Sequence, residues 1–227
     1  MSTLPSLSDS DRKRIGHTVA EAEARSAGEI VTILTDQSDS YADVALAWSA
    51  VAAMLALCAL ALAPDFYLPL YERLTGTWAH EWHAGSVLAL AAVVAGLKFI
   101  AMWLLQLWQP LKFLLIPPQI KQTRVHARAI TCFKVGAERR THGRTGILIY
   151  LSMREHRAEI VADETIASKV APEVWGDAMA AMLVQIRAGR VADGMIAAIE
   201  QVGALLAEHF PRDANDVNEL PDRLIEV

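Results

Sequence analysis

The sequence predicts an α/β fold: an α/β/α sandwich around a small mixed sheet, interrupted by an inserted two-helix transmembrane hairpin. Three observations predict it. Two apolar runs, residues 42–63 and 85–107, are each about the length a helix needs to cross a ~30 Å hydrocarbon core. Strand-like segments rich in β-branched residues lie on both sides of the pair. The remaining sequence carries helices with one apolar stripe each, the pattern that covers a sheet.

The apolar runs dominate the composition. The chain has 227 residues and a hydrophobic fraction of 53%, above the soluble norm of about 45–50%. The first run holds one charge, Asp43, at its start, and the second holds Lys98 midway. A soluble core helix rarely stays apolar on every face for so long. Residues 42–116 are therefore expected to be a membrane insertion. Residues 1–41 and 117–227 would form one discontinuous domain, because the strand before the spans must pair with strands after them. The net charge of −5 gives no overall electrostatic case for nucleic acid. Two cysteines, Cys58 in the first span and Cys132 far from it, argue against a disulfide framework. The N-terminus is polar, with no apolar core of a signal peptide. The first span would then act as the insertion signal.

In chain order, residues 7–27 read as a helix. Ser8 and Asp11 suit a capping box, Ile15, Val19 and Ala22 share a stripe, and Gly28 suits the C′ position. EIVTILT, residues 29–35, is a strand. The connection between the spans, residues 64–84, carries Tyr67, Tyr71, Trp78 and Trp82, rings that favour the headgroup layer. Pro110 interrupts the second apolar helix, and residues 111–118 are too short for a third span. Residues 121–140 are helical in pattern, with Val125, Ala129, Cys132 and Phe133 on an apolar face and Arg124, Arg128, Lys134, Arg139 and Arg140 on a basic one. ILIYL at 147–151 and residues 158–162 form a strand pair. Two helices follow, one begun by Pro172 with Trp175, Met179, Met182 and Ile186 inward, the next with Met195, Ile199, Val202 and Leu206. The tail after Pro211 has no strong pattern.

The order of these segments resembles the TPM domain family. The residues that carry it are TGILIYLSMREHRAEIVAD, VAPEVW, the GR-x-ADG-x-x-AAIE run and GALLAEHFP, with AEARSAGEIVTIL before the spans and NELPDRLIEV at the end. The resemblance implies an α/β/α sandwich. It also implies functions found among members: acid phosphatase activity, binding of calcium or similar cations, or help in assembling and repairing membrane complexes. Three departures stand out, one being that the first strand is followed directly by a membrane span. The chain has an internal hairpin where many members have a signal peptide and a C-terminal anchor. It has Asp163, Glu164 and Thr165 where many have glycine-rich sequence.

The candidate metal ligands are Glu29, Asp163 and Asp193. Glu29 and Asp163 would lie at one edge of the sheet if their strands run antiparallel, and Asp193 could join them. Hard cations such as Ca²⁺ or Mg²⁺ need several oxygens at about 2.3–2.6 Å. The competing picture is a helix cap and solvated loop carboxylates. His80, Glu81 and His83 form HEWH, readable as a metal pair or as a polar loop beside interfacial rings. Lys98 is a functional intramembrane charge, or one that snorkels, or one that pairs with an acid from a neighbouring copy in a homo-oligomer. Cys132 reads as a core cysteine. The basic run from Lys112 to Arg144 fits attraction to anionic lipid headgroups, with an RNA site as the lesser alternative. No nucleophile elbow, Walker loop or CxxC is present in the sequence.

These readings lead to two expectations. One is a non-enzymatic accessory protein of the bacterial inner membrane, bound to the lipid bilayer and to an unidentified membrane protein partner. The other is a divalent-cation-dependent, phosphatase-like hydrolase. The loop between the spans carries one basic residue, Arg73, against eight in residues 112–144. Basic flanks stay inside, so the globular domain is expected in the cytoplasm.

Overall fold

The computed structural model describes residues 7–76, 82–136, 145–212 and 222–227. The chain divides into two compact units, one of Met1–Asp39 with Pro118–Val227 and one of Ser40–Pro117.

The first unit is built on a four-stranded sheet. Its strands are β1 (Glu29–Thr35), β2 (Gly146–Ser152), β3 (Arg157–Ala162) and β4 (Leu224–Glu226), in the spatial order β3-β2-β1-β4. β1 is parallel to β2 and β4, and β2 is antiparallel to β3. Side chains alternate across a strand, and the two faces divide accordingly. Ile30, Leu34, Ile147, Ile149 and Leu151 join the core made with three helices: α1 (Asp9–Glu23), α8 (Pro172–Arg187) and α9 (Val191–His209). Val31, Ile33, Leu148 and Tyr150 join Val125, Ala129 and Phe133 of α6 (Pro118–Gly136) on the other face. Helices on both faces explain why β1 and β2 are buried at every position. The mixed sheet and its helical layers are those the sequence predicts.

Local differences have physical reasons. α1 has the expected capping box: Asp11 N donates to Ser8 Oγ (3.1 Å) and Ser8 N to Asp11 Oδ2 (3.2 Å). It ends at Glu23, four residues before the sequence suggests. The Glu23 carboxyl turns to accept the Ile30 N–H at 2.7 Å, and Ala27 N donates to Phe210 O at 2.9 Å. Gly28 is not a left-handed cap. A Cβ there would lie 2.7 Å from Leu206, so the bare backbone admits α9. The tail, patternless in sequence, supplies β4: Val227 N donates to Leu34 O (3.0 Å) and Thr35 Oγ1 to Val227 O (2.9 Å).

The second unit holds α2 (Ala42–Leu62), α3 (Pro64–Thr75), α4 (Ala84–Leu105) and a short α5 (Gln109–Leu115). α2 and α4 are long and apolar enough to cross a membrane, and only 11% and 0% of their most apolar windows are buried. A polar clasp joins them at one end. Gln106 Nε2 donates to Ala45 O (3.0 Å) and Ser49 Oγ (3.4 Å), while Ser49 Oγ donates to Ala45 O (2.8 Å). Tyr41 and Phe113 pack edge to face at 5.8 Å beside it. The aromatic connection, read as a loop, contains α3: Pro64 starts it and Gly76, at φ 71°, ends it. Pro110, read from the sequence as interrupting the second apolar helix, stands in the first turn of α5, which begins at Gln109.

Candidate functional site

The edge of the sheet where β1 and β2 begin gathers the acidic residues. The register pairs Glu29 with Gly146 and Ile147 with Ala162, so Glu29, Gly146 and Asp163 follow one another across three strands. Two strand spacings separate Glu29 from Asp163, about 10 Å. Asp163 is committed to local structure: its N–H donates to Gly146 O and its Oδ2 accepts from Gly146 N, both at 3.0 Å. Its carbonyl accepts from Ile166 and Ala167, the first turn of α7 (Glu164–Ala167). Beside it lies an open groove of about 630 Å³, lined by Phe133 and Lys134 of α6 and by Asp163, Glu164, Thr165 and Ser168.

Asp193 is elsewhere. It stands in the first turn of α9 and pairs with Arg14 (2.8 Å) and Arg190 (3.5 Å). The far end of α9 meets Ala27 and Gly28, thirteen residues beyond Asp193 at Leu206, or about 20 Å along the axis. Glu29 and Asp163 thus share an edge, and Asp193 lies at the other end of the layer. Among the described residues, no group of three His, Cys, Asp or Glu side chains is placed to hold a metal ion. Of the HEWH motif, His80 and Glu81 lie outside the described residues, and His83 precedes α4. Arg139, Arg140 and Arg144 of the basic run also lie outside them. Arg124 is paired with Asp39. Cys132 is half-buried, and burial raises its thiol pKa.

Sequence reasoning missed Glu23. Its carboxyl is buried at this same edge, and burial pushes its pKa from an ordinary 4.5 up to about 9. The Ile30 N–H opposes that shift, while the Glu29 charge and a hydrogen bond with Asp222 add to it. The sign follows from linkage. The unfolded chain gives up this proton near pH 4.5 and the folded chain near pH 9. The proton's contribution to stability is therefore complete below about pH 4.5 and is lost as pH rises towards 9. Glu23→Gln keeps an acceptor for Ile30 and removes the charge. It is expected to match wild type near pH 4 and to exceed its stability by a few kcal/mol at pH 8, at up to about 1.4 kcal/mol per pH unit. Urea unfolding across that range checks this, and parallel curves for the two proteins would contradict it.

The opposite edge of the sheet is a network that closes on itself. Arg154 Nε donates to Asp36 Oδ2 at 2.8 Å and Arg154 N to Asp36 O at 2.9 Å. Ser38 N donates to Glu155 Oε1 at 2.8 Å, Ser152 Oγ donates to Glu155, and Ser38 Oγ and Tyr150 Oη share a hydrogen bond of 3.0 Å. These contacts tie the β2–β3 turn to the residues after β1.

Comparison with known proteins agrees with this architecture. Residues 115–205 match the family model described as TPM domain. The NMR structure of the BA42 protein from the psychrophilic bacterium Bizionia argentinensis is similar in fold, with a TM-score of 0.56, 18% identity and 100% of each chain covered. Comparison with curated proteins gives no match. Residues 115–205 thus resemble a TPM domain in sequence, and the fold as a whole is similar to that of BA42. The same sheet and core also include α1, β1 and β4, which lie outside the matched segment.

Proposed function

We propose that this is an integral membrane accessory protein, in which the α2–α4 hairpin anchors a TPM domain on the cytoplasmic face of the bacterial inner membrane. There the domain binds and supports a partner membrane protein. The observation that carries the reading is the exposure of the two apolar helices, whose windows are 11% and 0% buried. Leu55, Leu62, Leu88 and Leu97 are among their exposed side chains. In water such a surface would be an aggregation liability, whereas in hydrocarbon it is matched to its solvent. The basic residues of α6 and the segment before it follow the second span, where attraction to anionic headgroups adds to the anchoring.

Two assays test the proposal. Crosslinking in native membranes followed by affinity capture should recover one membrane protein in constant ratio, and should lose it when the globular unit is deleted but the hairpin kept. Recovery unchanged by that deletion would sink the scaffold reading. The hydrolase alternative places a divalent cation at the groove beside Asp163, where Glu164 is the second carboxylate. Turnover of a generic phosphoester that needs Mg²⁺ or Ca²⁺ and is lost in Asp163→Asn would favour that alternative.

A further inference from the structure

We infer that the hairpin unit carries a binding site for a single-chain, long-chain carboxylic acid. The site is an open cavity of about 450 Å³ lined by α2, α3 and α4. This inference rests on the membrane placement proposed above.

α3 forms one wall. Tyr67, Leu70, Tyr71 and Leu74 recur at i, i+3, i+4 and i+7, the spacing of one helix face, and all four line the cavity. α3 is fastened there. Trp82 Nε1, just before α4, donates to Glu72 Oε1 at 2.8 Å, and the Trp82 ring meets Tyr71 edge to face at 5.9 Å. On the α2 wall, Ala56 and Ala59 stand beside Leu60, and these two short side chains leave space opposite the stripe. Apolar stripes ordinarily pack against each other. Here the alanines keep one held open, at a volume suited to a small ligand.

The end of the cavity is charged. Lys98 lines it and is the single charged residue among the 22 of α4. A helical side chain leans towards the N-terminus of its helix. The Lys98 stem is thus directed towards Val94 and Leu90, which also line the cavity, and away from the nearer end of α4. Ala84 is fourteen residues back, about 21 Å, which exceeds the reach of a lysine. The ammonium is therefore held at hydrocarbon depth. The one acid of the two spans, Asp43, is in the first turn of α2. Ala45 and Ser49 are level with Gln106, so Asp43 is about 12 Å or more from Lys98 along the axis. Lys98 is exposed on the protein surface, so in the bilayer its charge faces hydrocarbon and needs a counter-charge, and an apolar cavity ending in a cation matches an amphiphile with one anionic end. A carboxylate on Lys98 Nζ, with its acyl chain along the α3 stripe, satisfies both features. A partner helix, about 10 Å across, would be kept out by α3, and a phospholipid would bring a second chain and a headgroup.

The test uses the full chain in phosphatidylcholine nanodiscs and a palmitate analogue with a photoreactive group near its methyl end. Labelling should be saturable, should map to α3 and α2, and should be displaced by palmitate. Hexadecanol should compete at least tenfold more weakly, and phosphatidylglycerol should not displace the probe. Lys98→Gln should lose at least tenfold in affinity, Lys98→Arg should retain it, and Ala59→Leu should abolish labelling while still entering nanodiscs. Several results would overturn the inference: non-saturable labelling of well-inserted protein, equal competition by hexadecanol, displacement by phosphatidylglycerol, or an unaffected Lys98→Gln variant. Failure of the wild type to insert would overturn the membrane placement itself and this inference with it.

Discussion

Gly203→Leu is expected to destabilise the globular unit by about 3 kcal/mol or more and to lower its Tm by roughly 10 °C. Gly203 lies on α9 where that helix crosses α1. A Cβ added there would sit 2.6 Å from Ala22 Cβ and 3.4 Å from Ala22 Cα. The second contact is backbone, so no rotamer change relieves it. α1 cannot simply retreat, because Ile15, Val19 and Ala22 are buried in the same core as Val202 and Leu206. Gly203→Ala should cost less, about 1–2 kcal/mol, because α1 then yields by a smaller shift. Differential scanning calorimetry of the detergent-solubilised protein measures both. An unchanged Tm for Gly203→Leu would mean that α1 and α9 do not pack this closely.

Glu155→Ala is expected to cost about 2–4 kcal/mol. Glu155 is 4% exposed and accepts from Ser38 N and Ser152 Oγ. Alanine leaves both donors without this acceptor, at a desolvation cost of about 1–3 kcal/mol for each buried group. Ser38 stands between β1 and α2, and its side chain also holds Tyr150. Hydrogen exchange should therefore quicken after β1 and in the β2–β3 turn before it quickens elsewhere. Glu155→Gln retains one carbonyl acceptor and should lose about half as much. Equal stability of all three proteins would show that the network contributes nothing net.

The sequence was most informative where chemistry is local or repeats. The apolar runs, the Ser8–Asp11 capping box and the stripes of α8 and α9 depend on nearest-neighbour spacing, and each was readable in advance. β1 and β2 were readable because burial on both faces leaves a continuous β-branched run. β4 was not, because three residues carry no period and its partners lie on β1, far away in sequence. α3 was obscured by Pro64, Pro69 and its aromatics, which suggested an interfacial loop. Gly28 matched a helix-end signal, but its use is to admit Leu206. The candidate site was less legible. Glu29 and Asp163 could be placed on one edge from strand direction, whereas Asp193 could not, because the direction of α9 is a tertiary property. Glu23 gave no signal, since a glutamate late in a surface helix is ordinarily solvated. It became evident only once α1 was seen to end beside Ile30.

Cysteine accessibility tests most directly the claim that a hairpin crosses the membrane and leaves the globular unit in the cytoplasm. In a background with Cys58→Ala and Cys132→Ala, one reporter is Arg73→Cys, exposed on α3, and the other is Glu173→Cys, exposed in the first turn of α8. A membrane-impermeant maleimide is applied to cells whose outer layer has been permeabilised, and again after lysis. The account predicts that Arg73→Cys reacts in intact cells and that Glu173→Cys reacts only after lysis. The reverse pattern would place the globular unit outside, and equal labelling of both positions in intact cells would mean that the hairpin does not cross the bilayer.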